Sequence, residues 1–125
     1  SQGSVKMSRG SLLNRYQVLS NADSTTALIG TATDVSGLDF ITYEVNVDAT
    51  VDCELSVYAY MGKEFVQADA IPLDFDTALV VDGSQDQNYM IQIENRGFKW
   101  LQLRSVNDTG TGDINAWVTG NTRGA

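Results

Sequence analysis

The last third of the chain, residues 87–119, alternates apolar and polar side chains with a period of two residues. The residues on the apolar phase of its three runs are Tyr89, Ile91, Ile93, Leu101, Leu103, Ile114, Ala116 and Val118. Turn-forming residues at 96–97 and 107–113 separate the runs. Such alternation is typical of short strands in a sheet that buries one face.

The rest of the chain continues this pattern. Further runs are expected as strands at 16–20, 26–33, 40–47, 51–61, 64–68 and 77–81. The single proline, Pro72, predicts an edge strand or a crossover around it. No window shows a convincing helical period, and the absence of crossover helices excludes a parallel βαβ architecture. The sequence therefore predicts an all-β fold, an antiparallel β-sandwich with a jelly-roll-like arrangement.

The 125 residues are expected to form one β-sandwich domain over 16–120, preceded by an N-terminal arm and followed by a polar tail. The arm, residues 1–15, has no acidic residue and carries Lys6, Arg9 and Arg15, and the tail covers 121–125. One interpretation of the arm is a frayed terminus. The other is an extended arm that orders against the acidic body of a neighbouring subunit.

The charge balance limits the possible partners. Sixteen Asp and Glu stand against eight Lys and Arg, which gives a net charge of −8. Nucleic acid is not expected as a partner, because phosphate neutralisation needs clustered basic residues. A membrane partner is not expected either, since the sequence has no basic surface patch, no membrane-spanning run and no secretory signal. Solubility explains the negative charge more simply than docking on a positive surface does.

Enzymatic chemistry and cofactors are not expected. The chain has no histidine, so nucleophilic triads and histidine metal ligands are excluded, and its one cysteine, Cys53, lies on an apolar phase. Carboxylate pairs such as Asp52 with Glu54, or Asp74 with Asp76, have a spacing that glycosidases can use. Any acidic β protein offers such pairs on its solvated faces, so we expect a non-enzymatic protein.

Two polar loops, 82–88 and 107–113, offer oxygen atoms of the kind that calcium prefers. The first departs from an EF-hand loop, because Gln87 replaces the glycine and Ile93 replaces the final glutamate. Hairpin turns are the favoured interpretation of both loops, and neither predicts a bound metal.

The alternation also places several large side chains on outward phases. These candidate interface residues are Tyr58, Tyr60, Trp100, Arg104 and Trp117, joined by Lys6, Arg9 and Arg15 of the arm. Exposed aromatic residues commonly form subunit contacts or stack on sugars. The opposing interpretation is that the second sheet or long loops cover these residues.

The closing segment resembles a known pattern. Its strand FKWLQLRSV, its turn NDTGTGD and its final strand INAWVTGN resemble the closing hairpin of small β-sandwich virion proteins of tailed bacteriophages. The residues that carry the resemblance are Trp100, Leu101, Leu103, Arg104, Gly110, Gly112, Ile114, Ala116 and Gly120. The resemblance covers 56–121, and this chain lacks the longer glycine-rich or fibre regions of many such proteins.

The resemblance implies a structural role without catalysis. It implies a homotrimer that binds the major capsid protein lattice as a head decoration (cement) protein, made in the host cytoplasm and located on the capsid surface. Because related sandwiches also serve as carbohydrate-binding or adhesion modules, glycans stay open as alternative partners.

Overall fold

The computed structural model describes residues 12–73 and 78–123. Nine strands and one 3-10 turn, Gln67–Asp69, account for the regular structure of that part of the chain. The strands are β1 (Leu12–Asp23), β2 (Thr33–Asp34), β3 (Phe40–Val47), β4 (Asp52–Tyr60), β5 (Ile71–Pro72), β6 (Leu79–Asp82), β7 (Asn88–Glu94), β8 (Trp100–Val106) and β9 (Asp113–Asn121). No helix in the described part of the chain is long and apolar enough to cross a membrane.

The strands form two antiparallel sheets. Sheet A has the order β1-β9-β3-β7, and sheet B has the order β2-β8-β4-β5, with β6 also paired to β4. The pairing is nested, because β1 meets β9, β2 meets β8, β3 meets β7, and β4 meets β5 and β6. Nested pairing of this kind is what results when one long hairpin winds into two sheets as a jelly roll. The predicted all-β sandwich is confirmed.

The core lies between the sheets and is made by the apolar phase of each strand. On β4, for example, Cys53, Leu55 and Val57 are buried while their neighbours are at least partly exposed. The largest fully buried side chains are Tyr43, Ile41, Leu55, Leu101, Leu103, Ile114, Val35, Val47, Val51, Val81, Val118 and Cys53. Burial of this apolar surface is the main force that holds the sheets together.

The structure corrects three boundaries. Strand β1 begins at Leu12, and its first two residues pair with Asn121 and Gly120 of β9, so the strand starts within the segment expected as the arm. The expected strand at 26–33 is reduced to β2 and a single bridge between Ile29 and Arg104. The expected return strand at 64–68 is wrong, because this segment crosses the outer face of sheet B and ends in the 3-10 turn.

Pro72 lies in β5, at the edge of sheet B, as predicted. The strand is two residues long and pairs with Tyr58 and Ala59 at the end of β4. A proline is tolerated there because it has no N–H to donate to a second neighbouring strand.

Candidate functional site

The predicted interface residues occupy two opposite faces of the sandwich. Tyr58 and Tyr60 project from β4 onto the outer face of sheet B, beside Trp100 and Arg104 of β8. Trp117 and Arg15 lie on the outer face of sheet A. Lys6 and Arg9 are outside the described residues. The structure therefore places the predicted interface residues that it describes on two separate surfaces.

The outer face of sheet B is covered by the chain itself. Segment 61–70 crosses it and places Phe65 at 5.9 Å, ring centre to ring centre, from both Tyr60 and Trp100. The indole N–H of Trp100 donates to the carbonyl of Gly62 at 3.1 Å. These contacts leave Tyr60, Phe65 and Trp100 half-buried.

Arg104 holds the other end of segment 61–70 in place. Its guanidinium donates through Nη2 to the carbonyl of Gln67 at 2.8 Å and through Nε to Oε1 of Gln102 at 2.8 Å. The same group lies 3.9 Å from the ring centre of Tyr58, within cation–π range. Gln102 faces outward by its strand phase, yet it is 3% exposed beneath segment 61–70. We call Tyr58, Tyr60, Phe65, Trp100 and Arg104 the covered cluster.

Lys99 and Asp34 lie next to the covered cluster, on the side of β2. The Lys99 ammonium donates to Oδ2 of Asp34 at 2.7 Å and lies 5.6 Å from the ring centre of Trp100. This hydrogen bond, together with those from Ser36, lowers the pKa of Asp34 to about 2.

The outer face of sheet A is different, because no element of the described part of the chain packs over it. Trp117 lies near its centre, paired in register with Glu44 of β3 and Gln17 of β1. The Arg15 guanidinium lies 4.2 Å from the Trp117 ring centre and donates to Oε1 of Glu44 at 2.9 Å. The tryptophan is therefore held in one position by a neutral ion pair at the surface.

Uncharged polar side chains surround Trp117. The amide of Asn115 donates to Asn21 at 3.1 Å and accepts from Gln17 at 3.0 Å, and Asn46 donates to Asn88 at 3.0 Å. Thr42 and Thr119 are directly opposite each other on β3 and β9. We call this surface, the outward residues of sheet A, the open face.

The open face also carries apolar residues that the sequence analysis did not select. Leu12 is 69% exposed, Met90 60% and Phe40 37%. Leu12 and Phe40 line a groove of about 720 Å³ that crosses all four strands of sheet A at one end. The strand alternation directs Phe40 and Met90 outward, whereas Leu12 fell within the expected arm. The exposure of all three depends on the absence of a cover among the described residues, which no local pattern reveals.

Charge is distributed unevenly between the two ends of the sandwich. Leaving out Lys6, Arg9, Asp74 and Asp76, which are not described, the 16 acids and 8 bases become 14 and 6. Eight acids lie at the end formed by the 48–51, 83–87 and 107–112 loops, where the described residues include no Lys or Arg: Asp23, Asp48, Asp52, Glu54, Asp82, Asp86, Asp108 and Asp113. The remaining six acids are matched by six bases, so this acidic end holds the whole net charge of the described residues.

The two polar loops are turns. Oδ1 of Asp82 accepts from the N–H and the hydroxyl of Ser84, at 3.0 and 2.6 Å, and Asp86 accepts from the N–H of Asn88 at 3.2 Å. In the second loop, Asn107 and Gly112 take positive φ angles of 54° and 89°. The described residues contain no group of three or more His, Cys, Asp or Glu side chains that could hold a metal ion.

Cys53 is a core residue. Burial, reinforced by the nearby charge of Asp108, raises the pKa of its thiol to about 12. The thiol is therefore neutral at ordinary pH and a poor nucleophile.

The comparisons with known proteins bear on the fold. No protein-family model matches this sequence, and no curated protein matches it. Among solved structures, the crystal structure of the SPBc2 prophage-derived protein YomS is similar, with a TM-score of 0.52 and 14% sequence identity. The match covers 88% of this chain and 94% of that one. The chain therefore shares its fold with that prophage-derived protein.

Proposed function

We propose that this chain is a non-enzymatic structural protein of a phage particle. In this proposal it acts as a decoration (cement) protein on the capsid surface, self-associates as a homotrimer, and contacts its neighbouring copies through the open face. The observation that carries the proposal is a broad, nearly neutral face centred on Trp117 that no described residue outside its own sheet covers, on a protein with a net charge of −8.

Charge favours the open face as the contact between copies. Like charges repel, so two acidic ends cannot approach each other without cost. On the open face, Arg15 neutralises Glu44, and Arg123 and Arg96 both contact Glu94. Copies that meet through this face bury little unbalanced charge, while their acidic ends remain in solvent.

The chemistry of the open face also suits self-association. Tryptophan and arginine are the residues most often found at the energetic centres of protein interfaces. Arg15 already fixes the ring of Trp117, so little side-chain entropy is lost on binding. The exposed Leu12, Phe40 and Met90 add apolar surface around that centre.

Binding to a capsid needs no deep site. Each copy in a symmetric shell repeats the same weak contact, and the linked contacts together bind far more tightly than one. A protein that binds the assembled shell and not its free subunits stabilises the shell by linkage.

A carbohydrate-binding role is disfavoured by the same geometry. Sugar stacking needs an aromatic ring with a free face. Phe65 and segment 61–70 cover Trp100, and the Arg15 guanidinium lies over Trp117. A glycan would have to displace these groups before it could stack.

The test is sedimentation of the purified chain, alone and with empty shells of a phage that encodes it. We expect a trimer, co-sedimentation with assembled shells but not with free capsid subunits, and a higher melting temperature for the decorated shell. A monomer that ignores shells and whose tryptophan fluorescence responds to glycans would contradict the proposal and favour the carbohydrate module.

A further inference from the structure

The edges of the two sheets differ in how well they are protected. Strand β1 has irregular pairing at three places, β2 and β5 have two residues each, and β6 has four. Strand β7 has seven residues, pairs with β3 through seven consecutive positions without a break, and contains no Lys, Arg or Pro. Short strands, bulges, prolines and lysines are the usual means of preventing edge-to-edge association. Strand β7 uses none of them.

The hydrogen bonds at the two ends of the β3–β7 ladder show which backbone groups are free. Val47 donates to Gln87 at 2.9 Å, and Asn95 donates to Asp39 at 2.7 Å. Hydrogen-bonded and non-hydrogen-bonded pairs alternate along an antiparallel ladder. The odd-numbered residues of β7 therefore direct their N–H and C=O groups toward β3, and the even-numbered residues direct theirs away.

The outward-directed groups at the centre of the strand belong to Met90 and Gln92. Within residues 12–73 and 78–123, no hydrogen bond reaches the backbone N–H or C=O of either residue on that side. Among residues 12–73 and 78–123, strand β7 is thus an extended, regular edge whose outward backbone donors and acceptors at Met90 and Gln92 have no partner, as the addition of a further strand requires.

We propose that β7 pairs with β7 of a second copy of this chain, antiparallel and about a twofold axis through Ile91. In that register Met90 lies opposite Gln92 of the other copy, and each contributes its outward N–H and C=O to the new ladder. The two sheets A then join into one continuous eight-stranded sheet.

The side chains of β7 are complementary to themselves in this register. On the core side, Ile91 meets its own equivalent and Tyr89 meets Ile93, three residues that are half-buried in the single chain. On the outer side, Glu94 meets Asn88 and not another carboxylate, so no like charges oppose each other. The acidic end and its eight carboxylates take no part in the contact.

This contact goes beyond the proposed trimer. A twofold edge contact joins copies in pairs, whereas a trimer needs a heterologous contact that closes after three copies. The mass of the assembly therefore distinguishes the two contacts. Loss of the β7 contact halves the mass, and loss of the open-face contact reduces it to one third.

The test combines amide hydrogen exchange with sedimentation equilibrium on the full chain over a range of concentrations. At high concentration we expect the amides of Met90 and Gln92 to exchange as slowly as those of Ile91 and Ile93, which β3 protects. On dilution, protection of Met90 and Gln92 should fall while that of Ile91 and Ile93 persists, and the mass should halve over the same range.

Gln92→Pro removes the outward N–H without removing a hydrogen bond to β3, and Gln92→Ala is its matched control because it keeps that N–H. We expect the proline variant to have half the mass of wild type and the alanine variant to keep the full mass. Met90 and Gln92 amides that exchange rapidly at every concentration would overturn the proposal, whether or not the proline variant folds. An unchanged mass for a folded Gln92→Pro would do the same.

Discussion

The two outer faces of this sandwich carry similar residues and have opposite environments. Each presents a tryptophan and an arginine that point outward: Trp100 and Arg104 from β8 of sheet B, and Trp117 of β9 with Arg15 of β1 on sheet A. On sheet B, segment 61–70 folds over Trp100 and Arg104 and uses them to hold itself in place. On sheet A, Trp117 and Arg15 contact only their own sheet neighbours within the described residues. An aromatic residue that points outward from a strand therefore indicates an interface only where no other segment of the same chain packs over it.

Trp100→Ala is the strongest test of the covered face. Removing the ring leaves a cavity against Phe65 and removes the hydrogen bond to Gly62. We expect the free energy of unfolding to fall by about 3 kcal/mol, measured by urea denaturation. Trp100→Phe keeps a ring and should recover most of that loss. A destabilisation below about 1 kcal/mol for the alanine variant would show that segment 61–70 does not depend on Trp100.

Trp117→Ala is the matching change on the open face. Self-association should weaken by about 2 kcal/mol, roughly thirtyfold in dissociation constant, since a tryptophan at the centre of an interface commonly contributes that much. The free energy of unfolding of the dissociated chain should change by about 1 kcal/mol or less. The Trp117 ring is only half-buried, and the described residues that contact it belong to its own sheet. Sedimentation and denaturation of the same sample separate the two effects, and a loss of stability without a loss of association would reverse the assignment.

Arg104→Lys tests how the covering segment is fastened. Lysine keeps the charge but cannot donate to Gln67 and Gln102 in the same planar geometry. We expect segment 61–70 to open more readily by about 1 to 2 kcal/mol, visible as faster amide exchange at Asp69 and Ala70. Association should stay as in wild type. Unchanged exchange in this segment would mean that the arginine does not hold the cover.

Asp34→Asn has the smallest expected effect and a defined pH window. Donation from Lys99, then from Ser36, lowers the folded-state pKa of Asp34 to about 2. Because the unfolded value is about 4, the ionised group stabilises the fold above that pH, and its contribution is lost as pH falls toward 2. Asp34 is 44% exposed on its side chain, so solvent screening limits the effect to roughly 0.5 kcal/mol. The stability difference between wild type and variant should shrink as the pH falls from about 4 toward 2, and a constant difference across that range would contradict this cause.

The alternation of β8 and β9 was sufficient to predict their core-facing residues. Leu101, Leu103, Ile114, Ala116 and Val118 are all fully buried, as their alternation predicts. Period-two alternation is a local property, and a single buried face imposes it directly on the strand. The same reasoning correctly placed Trp100, Arg104 and Trp117 on outward phases.

What lies over an outward phase is not a local property. The contact of Phe65 with Trp100 joins segments far apart in sequence, and no pattern within 61–70 marks it as a cover. The clustering of eight acids at one end depends on which loops the two sheets bring together. The free edge of β7 likewise follows from strand order, because an edge strand and a central strand can have the same alternation.

The most direct test of the account is the sedimentation mass of Trp100→Ala and Trp117→Ala, measured side by side under conditions where both are folded. If the open face is the contact between copies, Trp117→Ala has about one third of the wild-type mass and Trp100→Ala keeps the full mass. A reduced mass for Trp100→Ala with an unchanged mass for Trp117→Ala would contradict the account, because the covered cluster would then be the contact between copies.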